Sequence, residues 1–325
     1  MIRMMSATVE RWPVAGAFVI SRGAKTYVDV VVCTVEDGTH VGRGEGTPIY
    51  YEGESAQSCV AALQAYTGPL DRKALLTMMP RGAARNALDC ALWDIEAKRA
   101  GAPVWQLAGL AQPMPLPTAY TISLGDPDRM EADARMAAAR GFVLLKCKLM
   151  GEGDQDRIAA VRRGAPTIRL IVDANESWHD RDISKETADL ASLGVEMVEQ
   201  PVIRGQEARL VGVQASLPFC ADESCHTRAD LDRLADFDAV NIKLDKAGGL
   251  TEALALAQEA RERGFRLMVG CMLGTSLGIA PAALVAQSAD WVDLDGALLL
   301  AKDRVDGLVM QDGLLKPGTL WGMGQ

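Results

Sequence analysis

Histidine is scarce in this 325-residue chain: there are three, and no two of them stand at metal-ligand spacing. His40, His179 and His226 are therefore expected on the surface or at caps. The seven cysteines are an odd number with no CxxC pair, which leaves reduced, buried thiols rather than a disulfide framework or a zinc cluster. No apolar run reaches the roughly 18 residues of a membrane helix, and the opening residues lack the charged-then-apolar order of a signal peptide. Positive charge is in deficit, with 34 Lys and Arg against 43 Asp and Glu, a net charge of −9 and a pI near 5.0. That balance argues against a general nucleic-acid or anionic-membrane binder. The chain is expected to be cytoplasmic, with no nucleic-acid or membrane partner; a homo-oligomer stays open.

What is present is ample apolar material, 49% of the residues, enough for two domains or for one barrel with an added module. Residues 1 to about 50 read as β-structure. Tyr27 to Val35 is a β-branched run, and Glu36-Asp37-Gly38-Thr39 is a hairpin signal. Residues 55 to 110 turn helical. The clearest segment is Gly82 to Gly101, where Ala87, Leu88, Ala91, Leu92 and Ile95 share one face and Gly101 supplies the stop. Pro113, Pro115 and Pro117 mark a boundary. Beyond it, strand-like segments near 117–122, 142–149, 168–173, 195–199, 218–221, 238–244, 266–270 and 291–294 alternate with helical stretches such as 128–140 and 251–263. Eight such strands predict a (β/α) barrel of the TIM type; an open doubly wound sheet competes, but no GxGxxG follows the first strand. The division expected is an α+β capping domain over 1–112, a barrel over 113–299, and a tail over 300–325 that packs back on the capping domain.

Polar residues recur at the predicted strand ends. Lys148, Asp173, Glu199, Asp222, Lys246, Cys271 and Asp293 follow one another at intervals of 22 to 26 residues. In a barrel such positions converge on the face where active sites are built. Asp173, Glu199 and Asp222, from three adjacent strands, would repel one another unless a hard cation sat among them. Oxygen-only ligands favour Mg²⁺, with Mn²⁺ as a substitute. Lys146 and Lys148 share one face of their strand by period two, and burial near a metal should lower their pKa values, as suits a general base. On the sixth strand two lysines compete. Alternation puts Lys243 on the face opposite Lys246, and the spacing favours Lys246. Asp293 and Asp295 form a D-x-D pair able to face one cation.

Lys146-Cys147-Lys148, Asp173-Ala174-Asn175, Glu199-Gln200-Pro201, Asp222-Glu223-Ser224 and the run Asn241 to Leu250 together resemble the muconate-lactonizing subgroup of the enolase superfamily, over essentially the whole chain. The resemblance implies a modified (β/α)7β barrel under a capping domain, with Asp173, Glu199 and Asp222 as Mg²⁺ ligands. It implies Lys148 and Lys246 as an acid/base pair that moves an α-proton through an enediolate, a chemistry described for such sites. The D-x-D, with the segments 84–94, 220–227 and 270–273, is most similar to the subgroup's dipeptide epimerases. It implies L-Ala-D/L-Glu epimerisation in murein peptide metabolism, with Asp293 and Asp295 on the substrate's α-ammonium. Lys146 and Thr121 would contact the substrate carboxylate region, and Cys271 and Met272 would line the pocket. Lys25, on a capping loop from Ile20 to Lys25, would face the second residue of the dipeptide. Glutamate-specific relatives usually carry Arg there, and Lys lacks the bidentate fork; Arg22 is a neighbouring alternative. Epimerases of other L-Ala-L-Xaa dipeptides, N-acylamino-acid racemase, o-succinylbenzoate synthase and muconate cycloisomerase share the lysines and acids. A non-catalytic binding barrel is the reading from another class.

Overall fold

The structure is a computed structural model and describes residues 2–20 and 23–324, without the side chains of 17–20. Its first sheet is a meander of β1 (Met4–Ile20), β2 (Gly23–Glu36) and β3 (Val41–Gly46), antiparallel throughout. The turn after β2 closes because Asp37 Oδ1 accepts from the Thr39 and His40 amides, with Gly38 at φ 96°. Helices α1 (Ala56–Ala65), α2 (Arg72–Met78) and α3 (Ala83–Ala100) cover the sheet, and a single turn α4 (Val104–Leu107) follows.

Alternate residues of β3 are glycines, and α3 lies directly on them. A Cβ at Gly42, Gly44 or Gly46 would stand 2.3, 2.2 and 2.1 Å from the carbonyl oxygens of Ala91, Ala87 and Ala83. Two residues of strand and four of helix advance by similar distances, about 6–7 Å. The G-x-G-x-G pattern and the alanine spacing therefore fit one another. Helix α3 ends at Gly101 in the left-handed region, φ 59°.

The second unit is a ring of eight parallel strands in sequence order. They are β5 (Tyr120–Ile122), β6 (Leu144–Lys148), β7 (Arg169–Asp173), β8 (Val195–Glu199), β9 (Phe219–Ala221), β10 (Ala239–Ile242), β11 (Arg266–Gly270) and β12 (Trp291–Asp293). The two ends of the sheet meet where the Ala119 amide donates to Val292 O at 2.8 Å and the Leu294 amide to Thr118 Oγ1 at 2.8 Å. Helices α5 (Pro127–Ala139), α6 (Asp154–Gly164), α7 (Ile183–Ser192), α8 (Leu244–Ala247), α9 (Leu250–Glu262) and α10 (Ser276–Val285) accompany the strands. Ahead of the ring, β4 (Leu116–Pro117) pairs with a late hairpin of β13 (Val309–Gln311) and β14 (Leu314–Lys316).

Inside the ring one buried cluster takes a side chain from each strand or its first flank: Ala119, Leu144, Ile171, Met197, Cys220, Ala239, Met268 and Trp291. Because strand side chains alternate, the residues two further on face the same interior. Those are Thr121, Lys146, Asp173, Glu199, Asp222, Asn241, Gly270 and Asp293. An apolar floor thus fixes the parity of a polar layer above it.

The end of the chain crosses back to the first unit. Trp321 Nε1 donates to Cys90 O at 3.1 Å, the Gly322 amide to Asp94 Oδ1 at 2.9 Å, and the Val104 amide to Gly322 O at 2.8 Å. Arg304 bridges Glu10 and Glu45 at 2.7 and 2.9 Å. Among the described residues no helix is long and apolar enough to cross a membrane.

Candidate active site

The polar layer opens into a cavity of about 80 Å³ whose wall includes Lys146, Lys148, Asp222, Lys243, Asp293 and Asp295. Asp173 and Glu199, in the same polar layer, have no exposed surface and are not among its lining residues. Their strands pair in register, Lys148 opposite Asp173 and Asp173 opposite Glu199.

Burying so much charge is costly unless it is matched, and most of these groups meet an opposite charge or an amide donor. Lys146 Nζ stands 2.6 Å from Glu199, 2.8 Å from Asp293 and 3.2 Å from Asp173. Lys148 Nζ is 2.6 Å from Asp173. Asp222 is held at both oxygens, by Lys243 and by Lys246, each at 2.6 Å. Asn241 Nδ2 donates to Glu199 at 2.7 Å. Gln200, at φ 37°, ties two strand ends: its Oε1 accepts from the Asp222 and Ser224 amides, and its Nε2 donates to Val202 O and Ser224 Oγ. The Thr121 amide donates to Asp295 at 2.7 Å, and Cys271 Sγ approaches Asp293 O at 3.4 Å.

One expectation is corrected by this geometry. Lys246 does not reach the cavity wall. It has no exposed surface, and its ammonium, ion-paired with Asp222 Oδ1, donates to the carbonyls of Asp222, Cys225 and Asn241. Strand β10 stops at Ile242 and the chain turns into the one-turn helix α8, so alternation cannot be counted from Lys243 to Lys246. Counted from the floor residue Ala239, period two gives Asn241 and then Lys243, as Leu144 gives Lys146 and then Lys148. Lys243 is the lysine that lines the cavity. The cavity lysines also sit among strong negative charge. For Lys146 burial pulls the pKa down, but the charges of Asp293, Glu199, Asp173 and Asp222 push it well above the ordinary lysine value. Burial likewise opposes, and Asp222 and Glu199 prevail, at Lys243.

Among the described residues no three His, Cys, Asp or Glu side chains form a ready cage, because lysine ammonium groups stand between the acids. The donor set itself suits a hard cation: Asp173, Glu199 and Asp222 are oxygen-only ligands on three adjacent strands. Burial, and then the neighbouring Asp173 and Asp222 charges, raise the Glu199 pKa against the pull of Lys146 and Lys243.

Of the other residues singled out, Met272 lines the cavity beside Cys271, and Lys25 reaches it from β2. Arg22 lies outside the described residues. Tyr50 and Tyr51 also line the wall; no local sequence pattern marks them, since their turn is carried there by the capping domain. That domain is anchored behind Lys243. Asp245 accepts from the Thr47 amide and Asn86 Nδ2 at 2.9 and 2.8 Å, and Thr47 Oγ1 donates to Leu273 O at 2.9 Å.

Residues 2–109 match the family model described as mandelate racemase / muconate lactonizing enzyme, N-terminal domain, and residues 129–324 match enolase C-terminal domain-like. The chain belongs to the enolase superfamily. It is 43% identical to an L-Ala-D/L-Glu epimerase of Escherichia coli K12, over 97% of this chain and 99% of that one. An N-acetyl-D-glutamate racemase of a Pseudoalteromonas species is 38% identical over 90% and 95% of the two chains. Among solved structures, an enolase family member from Agrobacterium tumefaciens with bound sodium and L-Ala-L-Glu superposes with a TM-score of 0.94, at 49% identity, covering 98% and 99%. A dipeptide epimerase from Enterococcus faecalis, complexed with Mg and L-Leu-L-Tyr, gives 0.91 at 30% identity, covering 99% of each chain.

Proposed function

We propose that this superfamily member is a dipeptide epimerase acting on L-Ala-D/L-Glu, in cytoplasmic turnover of murein peptides, by proton transfer between two lysines. One observation carries the reading. Lys148 on β6 and Lys243 beyond β10 line one cavity from strands four places apart in a ring of eight, with Asp173, Glu199 and Asp222 between them. Bases on opposite sides can remove an α-proton from one face and return one to the other, which is what inverting a stereocentre requires. Asp173, Glu199 and Asp222 would hold Mg²⁺, with Mn²⁺ as a substitute. That ion supplies electrostatic stabilisation of the charge that develops on the substrate carboxylate.

The chain's own groups do the rest. Lys146, held as an ammonium by its acids, adds positive charge beside the substrate carboxylate, with Thr121 next to it. Asp295, and Asp293 in part, face the α-ammonium of the first residue. Cys271 and Met272 shape the wall, and Lys25 faces the second residue. This reading replaces Lys246 by Lys243 as the second base.

The test is incubation with L-Ala-L-Glu and Mg²⁺ in D2O. Deuterium at the glutamate α-carbon and appearance of the L-Ala-D-Glu isomer are expected; absence of both overturns the assignment. A second reading, racemisation of N-acyl glutamate, is favoured by the Pseudoalteromonas relative and by the engagement of Asp293 with Lys146. N-acetyl-L-glutamate in the same assay separates the two.

A further inference from the structure

The turn Tyr50–Glu52 forms an edge of the cavity that the two-base scheme leaves unused. Lys25 Nζ stands 4.2 Å from the centroid of the Tyr50 ring, well inside cation–π range. Tyr50 in turn meets Tyr51 edge-on, with centroids 5.5 Å apart and an interplanar angle of 83°. The turn is fixed at its far end. Glu52 pairs with Arg81 at 3.1 Å and with Arg204, which comes from the loop after β8. Gly53 closes it at φ 82°, and the Glu54 carboxylate accepts from the Ile49 and Ala83 amides. The ring under Lys25 is therefore tied both to α3 and to the barrel.

Among the described residues no carboxylate pairs with Lys25. A lysine is a point charge on a flexible four-carbon stem, with rotamer entropy to lose on binding an anion. An aromatic face that already holds the ammonium removes part of that loss before the ligand arrives. An arginine has less need of such help, because its planar fork is pre-organised.

We infer that Tyr50 is a positioning residue for substrate specificity: its ring holds the Lys25 ammonium at the cavity edge and thereby biases the second residue of the dipeptide toward an anionic side chain. This rests on the proposed function, in which Lys25 faces that residue.

The experiment measures kcat/KM for L-Ala-L-Glu and for L-Ala-L-Met, and takes their ratio in wild type, Tyr50→Phe, Tyr50→Leu, Lys25→Met and the Tyr50→Leu/Lys25→Met double variant. Tyr50→Phe keeps the ring face and should hold the ratio within about twofold. Tyr50→Leu should lower it about tenfold, in the range of a partly desolvated cation–π contact. In the Lys25→Met background Tyr50→Leu should change the ratio no further, because the two residues act as one unit. An unchanged ratio in Tyr50→Leu overturns the inference, as does an equal fall in Tyr50→Phe or a full additional fall in the double variant. Tyr50 is 37% exposed, so folding is expected to survive, and circular dichroism checks it. Should Tyr50→Leu fail to fold, the Tyr50→Phe ratio and the Lys25→Met ratio still decide: a fall in the first, or none in the second, sinks the inference. No turnover of either dipeptide by wild type would defeat the proposed function itself, a separate outcome.

Discussion

Three residues apart, Lys243 and Lys246 hold opposite oxygens of the Asp222 carboxylate, yet their remaining partners differ. Lys246 spends its three donors on backbone carbonyls that fasten β9 and β10 to the turn after Asp222. Lys243 keeps a side toward the cavity. Removing a fully buried, paired ammonium leaves its partners unsatisfied, at a cost of about 3–5 kcal/mol. Lys246→Met should therefore lower the urea-unfolding free energy by about that much. Lys243→Met leaves Asp222 paired to Lys246 and should cost less stability, while epimerisation falls by roughly 10²–10⁴-fold, the span of a lost general base. Unfolding curves and turnover on the same two variants decide it. Full stability with lost turnover in Lys246→Met, and activity retained in Lys243→Met, would restore Lys246 as the base.

Helix α3 joins the two units, and its behaviour can be predicted from both of its faces. Toward β3 it rests on glycines, and a Cβ at Gly44 would press to 2.2 Å against Ala87 O. Backbone on both sides cannot step away, so Gly44→Ala should destabilise by about 3 kcal/mol, read as a lowered thermal midpoint. Toward the barrel, Asp89 accepts from the amide and hydroxyl of Thr251, at the start of α9. It caps a helix of the other unit, where Gly249 offers no side chain of its own. Burial pushes the Asp89 carboxyl up to about 6, against the pull of Thr251; unfolded it titrates near 3.9. The folded state thus binds the proton more tightly, so Asp89 favours folding below about pH 4 and loses that contribution as pH rises to about 6. Asp89→Asn should flatten the fall in stability across that window by roughly 3 kcal/mol; identical slopes in urea unfolding at pH 4.5, 5.5 and 6.5 would remove Asp89 from the account. The helix itself was legible in sequence, because apolar residues at helical spacing end at Gly101. So were the strands, as β-branched runs that stop at charged residues. The interval between strand ends was legible too, but it carries no parity: at β10 the chain passes from a period of two to a helical turn, and only the floor residue Ala239 shows which lysine faces inward. Asp89 with Thr251, Arg304 with Glu45 and Tyr50 at the wall are set by packing between segments 160 residues or more apart, or by the placement of a whole domain, and leave no local pattern.

Over the whole molecule the barrel mouth concentrates opposite charges. Among the described residues, Asp173, Glu199, Asp222, Glu223, Asp293 and Asp295 stand with Lys25, Lys146, Lys148, Lys243 and, beneath the wall, Lys246, one acid more than base, nearly all buried. A divalent cation would turn that deficit into a single positive surplus, matched to a dipeptide such as L-Ala-L-Glu with one net negative charge. The unfolded chain cannot gather Asp173, Glu199 and Asp222, which are brought together only by the register of three strands. Mg²⁺ should therefore bind the native state selectively and stabilise it by about 2.7 kcal/mol at a hundredfold its Kd. The measurement is urea unfolding in EDTA and in Mg²⁺ at matched ionic strength. A sodium arm is needed, because the Agrobacterium neighbour holds that ion. Asp222→Asn, which keeps the side chain's shape but removes the carboxylate's whole negative charge, should lose most of the Mg²⁺ increment. Equal unfolding midpoints with EDTA, sodium and Mg²⁺ would mean that the lysines alone neutralise the site, and the metal would have to leave the mechanism.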